Sequence, residues 1–194
     1  MDLFKETEID NKEFEGIEAQ NFIFSGKEIT RCTFKNCDLS RAIFTNVNFE
    51  DCSFEACNLS LIKLTKARLN EVSFKDCKIL GVDFSQCDKL IMDISFNNCQ
   101  ISESNFSQLD LKKTKFTGST IKHSNFINTN LFQTDFSDCN LQDTTIHNCD
   151  LRNSNFRGAE NYLFSPVNNR VKGAKFQAPE VIELLTEFGI NIQY

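Results

Sequence analysis

Large apolar residues recur every five positions along most of the chain, each framed by polar neighbours. One unbroken series runs Phe24, Ile29, Phe34, Leu39, Phe44, Phe49, Phe54, Leu59, Leu64, Leu69, Phe74, Ile79 and Phe84. A second begins at Ile91 and continues through Phe96, Ile101, Phe106, Leu111, Phe116, Ile121, Phe126, Leu131, Phe136, Leu141, Ile146, Leu151 and Phe156. Each unit reads small, polar, large apolar, polar, polar, as in Cys32-Thr33-Phe34-Lys35-Asn36. Two inward positions in five fit neither the 3.6-residue period of a helix nor the alternation of a long strand. They fit a chain that turns a corner at every unit.

Phenylalanine also stands at 14, 34, 54, 74, 96, 116, 136, 156 and 176, a spacing of 20 broken by one step of 22. Four units therefore close one coil, and coils stacked at the strand spacing predict an all-β solenoid of about eight coils. Sorting by side sets this column opposite a second one, Phe4, Phe24, Phe44, Leu64, Phe84, Phe106, Phe126 and Ile146. The remaining two sides are largely aliphatic.

The pattern resembles the pentapeptide repeat family, whose consensus is Ala-(Asp/Asn)-Leu-x-x with Phe variants, over roughly residues 4 to 176. The resemblance implies a right-handed quadrilateral β-helix for residues 1–177. Ala19, Asn161 and Pro166 hold central positions without a large apolar side chain, and predict distorted turns or caps. Near residues 87–92 two extra residues enter, which predicts a corner bulge with Ile91 inward and with Leu90 and Met92 exposed.

Residues 178–194 form the tail. Pro179 suits a first helical turn, Val181, Leu184, Leu185 and Phe188 follow an i, i+3, i+4, i+7 stripe, and Gly189 is placed to end the helix. Ile190 and Ile192 alternate as a short strand. A solenoid needs its last coil covered, and the stripe with Ile182 added is broader than a cap requires. A homodimer through Val181, Ile182, Leu184, Leu185 and Phe188 is expected.

The nine cysteines all occupy the small inward slot, where other units carry Ala, Val, Ser or Thr. They are read as small core residues rather than disulfide or zinc ligands, since the zinc spacing Cys-x-x-Cys is absent. No signal-peptide pattern and no bilayer-length apolar run appear, which predicts a soluble, cytoplasmic protein with no membrane contact. His123 and His147 fall outward on different sides, without a nucleophile at an argued distance, and no phosphate-cradling loop is present. The expectation is a protein that is not an enzyme and holds no cofactor or metal.

Net charge is −6, but residues 1–18 alone hold seven acids and two bases, leaving 20 acids against 19 bases in the rest. A rod of about eight coils is roughly 38 Å long, and duplex DNA of that length carries about 22 negative charges. Overall charge is therefore a poor DNA mimic. The side centred on Ile9, Ile29, Phe49 and Leu69 nevertheless collects an acidic stripe of Glu8, Asp10, Glu28, Glu50, Asp51, Glu71, Asp93 and Asp110, densest toward the N-terminus. Such a stripe steers docking onto a basic protein surface and binds nucleic acid poorly.

Within the family, the chain is most similar to the Qnr-type quinolone-resistance and microcin-immunity group. That resemblance implies a protein partner, a type II topoisomerase (DNA gyrase or topoisomerase IV), protected from a drug or toxin by a dimeric DNA-mimicking rod. Long projecting loops, present in many members of the group, are missing here. The alternative is a generic interaction scaffold for another partner.

Overall fold

The computed structural model describes residues 6–190, so Phe4 and Ile192 lie outside the described residues. The chain winds into a four-sided, right-handed parallel β-helix in which each strand pairs with the one a coil later. Ile9 pairs with Ile29, Ile29 with Phe49 and Phe49 with Leu69. On the next side Phe14, Phe34, Phe54, Phe74 and Phe96 follow the same register.

The phenylalanines make the core continuous. From Phe14 to Phe176 the rings stack in eight successive steps, with centroids 4.8–5.3 Å apart. The opposite column stacks likewise, as in Phe106–Phe126 at 4.9 Å. Across the core the two columns meet edge to face, with Phe96–Phe106 at 5.8 Å and 86°. Offset stacks along the axis and T-shaped contacts across it are the arrangements the ring quadrupole favours.

Corners form because the residue two after each central position adopts a left-handed backbone, as at Asn36, Asp51, Glu71 and Gly158. Asn, Asp and Gly reach this region most easily, yet Arg31, Lys66 and Lys113 adopt it here too. Ordered hydrogen bonds offset the strain: the Asn36 amide donates to the Glu55 carbonyl one coil on, at 2.9 Å. Ala19, expected to distort its turn, keeps a regular corner, with Asn21 left-handed and the Phe22 amide donating to the Ala19 carbonyl at 3.2 Å. Asn161 is a left-handed corner residue as well, and Tyr162 and Phe164 supply the buried rings of the last turn.

All nine cysteines are buried and free. The thiols of all but Cys87 donate to backbone carbonyls of the preceding coil, as from Cys57 Sγ to the Phe34 carbonyl at 3.3 Å. Thr134 and Thr144 use their hydroxyls the same way, toward Leu111 at 2.9 Å and Ile121 at 2.8 Å. The slot selects a small side chain, Ala42 and Val72 among them, and Cys or Thr there adds a hydrogen bond to the preceding coil. Burial pushes the Cys52 thiol up to about 11 and those of Cys87 and Cys139 up to about 12. A disulfide-exchange reagent at neutral pH is expected to find essentially no reactive thiol in the folded protein and nine after denaturation. Rapid labelling of several thiols in the folded state would contradict this packing.

The insertion departs from its expected form. Met92, not Ile91, pairs with Leu69, and the register shifts between Met92 and Ile94 before Phe96 pairs with Phe74. Met92 packs on the core, while Leu90 and Ile91 are 87% and 56% exposed. The sequence showed only the net gain of two residues. It consists of three extra residues before this side and one fewer after it, since Met92 follows Leu69 by 23 and precedes Phe96 by 4.

The tail forms a 3-10 helix, Glu180–Phe188, closed by left-handed Gly189. Residues three apart are eclipsed in such a helix. Val181 and Leu184 thus form one ridge, which lies on the core with Leu184 buried. Ile182, Leu185 and Phe188 form a second, with Leu185 and Phe188 exposed. Glu180 and Glu183 form the third. A hydrogen bond from Ser165 to Glu187, at 2.7 Å, ties the helix to the last coil. Ile190 is exposed and not in a strand.

Candidate functional site

Every residue of the acidic stripe is exposed, because each occupies an outward slot beside an inward Ile, Phe, Leu or Met. The strands Asn48–Glu55 and Arg68–Lys75 are the longest and pass through the same corner, where Asp51 and Glu71 are left-handed. Seven paired positions between these strands hold that corner rigid. Asp51 and Glu71 therefore project from adjacent coils at about the strand spacing of 4.8 Å, with Glu50 beside them.

Neighbours divide the stripe into neutralised and free charges. Asp10 is ion-paired to Arg31, Glu28 accepts from the Asn48 amide at 2.8 Å, and Asp110 lies 3.2 Å from the Lys112 ammonium. Further along the same side Asp150 pairs with Arg152 and Arg170, and the hydrogen bond from Arg152 holds its carboxyl below the usual range. Glu8, Glu28, Glu50, Asp51, Glu71 and Asp93 have no ion pair among the described residues, the Asn48 amide on Glu28 being neutral. The adjoining side differs: Glu15, Lys35, Glu55 and Lys75 alternate in sign up one column. Uncompensated negative charge is thus concentrated at Glu50, Asp51 and Glu71.

The insertion loop borders the same side. Asp88 takes a hydrogen bond from Arg68 at 3.2 Å and another from the Leu90 amide at 3.0 Å, which fixes the loop where Met92 enters beside Leu69. Leu90 and Ile91 are the apolar projections of this surface, and sequence reasoning had turned Ile91 inward. The signal was the break in the five-residue series, but its direction was not encoded in spacing. His123 and His147 are both exposed, with His123 Nδ1 3.8 Å from Asp143. Among the described residues no group of three or more His, Cys, Asp or Glu side chains could hold a metal ion, and no helix is long and apolar enough to cross a membrane.

The chain belongs to the pentapeptide repeat family: the family model described as a pentapeptide repeat region matches residues 27–90 and 89–161. Solved structures of QnrB1, described as a plasmid-mediated fluoroquinolone resistance protein, share the fold. A trypsin-treated form is 19% identical with a TM-score of 0.64, covering 96% of this chain and 100% of that one. The full-length form is 17% identical with a TM-score of 0.54, covering 94% and 100%. No curated protein matches this chain. The likeness to QnrB1 is one of fold.

Proposed function

We propose that the protein is a non-enzymatic binding protein that docks a type II DNA topoisomerase, DNA gyrase or topoisomerase IV, at its DNA-entry surface and alters the enzyme's inhibition by a quinolone or a toxin. It acts in the cytoplasm as a homodimeric rod. The observation that carries this reading is the unpaired trio Glu50, Asp51 and Glu71 on a rigid corner, with Leu90 and Ile91 exposed along the same side. Acidic groups steer approach to a surface built for DNA, and apolar side chains that become buried hold the complex. The fold shared with a fluoroquinolone-resistance protein supports the choice of partner class.

Reversing the trio (Glu50→Lys, Asp51→Lys, Glu71→Lys) is expected to slow association with gyrase by about tenfold or more at low salt, with the difference shrinking as salt rises. The fold tolerates these changes, because Lys66 and Lys113 already occupy left-handed corners. Unchanged association rates with an intact fold would contradict the acidic docking surface. A scaffold for a different partner is the second reading, favoured by the near-neutral charge of residues 19–194.

A further inference from the structure

The acidic side changes sign along the rod. Four of its coils, centred on Ile9, Ile29, Phe49 and Leu69, precede the insertion loop, and four, centred on Leu111, Leu131, Leu151 and Val171, follow it. Their outward slots are the residues just before, just after and two after each central one. The first four coils hold six acids and two bases in these slots, and the last four hold two acids and five bases.

Ion pairs within the chain sharpen this division. Arg31 pairs with Asp10 and Arg68 with Asp88, so both bases of the first half are engaged. Lys112 pairs with Asp110, and Arg152 and Arg170 share Asp150, so both acids of the second half are engaged. What remains before the loop is purely negative: Glu8, Glu28, Glu50, Asp51 and Glu71. What remains after it is purely positive: Lys113, Lys172 and the surplus of two arginines over one carboxylate. Between the halves stand Leu90 and Ile91, 87% and 56% exposed, on a loop held by the Asp88 carboxylate, which accepts from Arg68 and from the Leu90 amide.

We propose that this side pairs with the same side of a second copy, antiparallel, about a two-fold axis at the Leu90–Ile91 loop. A two-fold contact requires a self-complementary patch, in which each residue and its opposite number exchange roles between the copies. Four coils on either flank of the loop satisfy that condition, because reversal lays the negative half of each rod on the positive half of the other. A parallel arrangement would set like charges together. Glu71, one coil before the loop, meets Lys113 of the second copy, one coil after it. The middle coil carries exposed Lys89 and Asp93, one of each sign, and the two Leu90–Ile91 loops bury each other at the axis. The contact uses no part of the C-terminal helix. It covers Glu71 and its neighbours, so it would mask the docking surface; this consequence, unlike the contact itself, rests on the function proposed above.

In the full-length Leu185→Asp, Phe188→Asp chain the tail contact is removed, and analytical ultracentrifugation reads this side alone. Self-association is expected at about 0.01 M salt, where the screening length is roughly 30 Å, and at least about tenfold weaker at physiological salt, where it is about 8 Å. Glu71→Lys or Lys113→Glu alone should weaken the low-salt association at least about tenfold, and the combined swap should restore it to within about threefold, because each pair re-forms with its signs exchanged. Leu90→Ser should weaken it severalfold, through loss of the apolar centre. In the unmodified chain the same contact should raise the low-salt mass above that of the tail dimer. A mass that does not respond to salt, or a combined swap no tighter than either single reversal, would overturn the pairing. A short duplex DNA that binds at low salt while no self-association occurs would assign the basic half to a nucleic acid instead. No topoisomerase enters the measurement, so failure here leaves that reading standing.

Discussion

Replacing Phe116 by alanine is expected to destabilise the protein by about 3–5 kcal/mol. Phe116 is fully buried, stacks on Phe96 at 4.9 Å and Phe136 at 5.1 Å, and meets Phe106 and Phe126 edge on at 5.6 and 5.7 Å. The cavity cannot collapse readily, because the backbone of each coil is held to its neighbours: the Phe116 amide donates to the Asp135 carbonyl at 2.8 Å, and the Phe96 amide to the Lys115 carbonyl at 2.7 Å. Coils contact only adjacent coils, so the loss also weakens coupling between the two halves of the rod. Phe176, half-buried at the end of the same column, should cost distinctly less when truncated. Urea unfolding of both variants measures the difference. A loss of about 1 kcal/mol or less at Phe116 would contradict the continuous ring core.

The second large effect concerns the tail. Leu185→Asp combined with Phe188→Asp is expected to convert the proposed homodimer into a folded monomer, read by light scattering as a fall from twice the 22.3 kDa chain mass to that mass. The two side chains are 38% and 51% exposed on one ridge with Ile182, and Leu163, Val167 and Ile190 are further exposed apolar residues of the C-terminal segment. Apolar side chains exposed together on the Leu185–Phe188 ridge offer a surface that a second copy covers. Leu184→Asp should act differently: Leu184 is buried against its own chain, so its charge would undock the cap rather than simply separate subunits. A single-chain mass for the unmodified protein would rule out the dimer.

The five-residue period settled the fold in advance because both inward slots are written in side-chain size at every unit, from Cys32-Thr33-Phe34 to Ser154-Asn155-Phe156. Where the period broke, spacing carried less. At residues 87–92 the net gain of two residues was visible, but the division between Ile91 outside and Met92 inside depends on which strand pairs with Leu69. In the tail, Val181, Leu184, Leu185 and Phe188 suit a 3.6-residue helix, whereas a three-residue turn separates them into a core-facing and an exposed ridge. Exposure of the acidic stripe followed from the register. Its neutralisation did not, since Arg31 meets Asp10 across a coil 21 positions away.

The central claim, action on a type II topoisomerase, is tested most directly by a DNA supercoiling assay with purified gyrase as the full-length protein is titrated with and without a quinolone. The expected result is a dose-dependent change in gyrase activity or drug sensitivity that the Glu50, Asp51 and Glu71 reversal diminishes. Supercoiling and quinolone inhibition that remain unchanged at a large molar excess of protein, with topoisomerase IV behaving the same way, would contradict it.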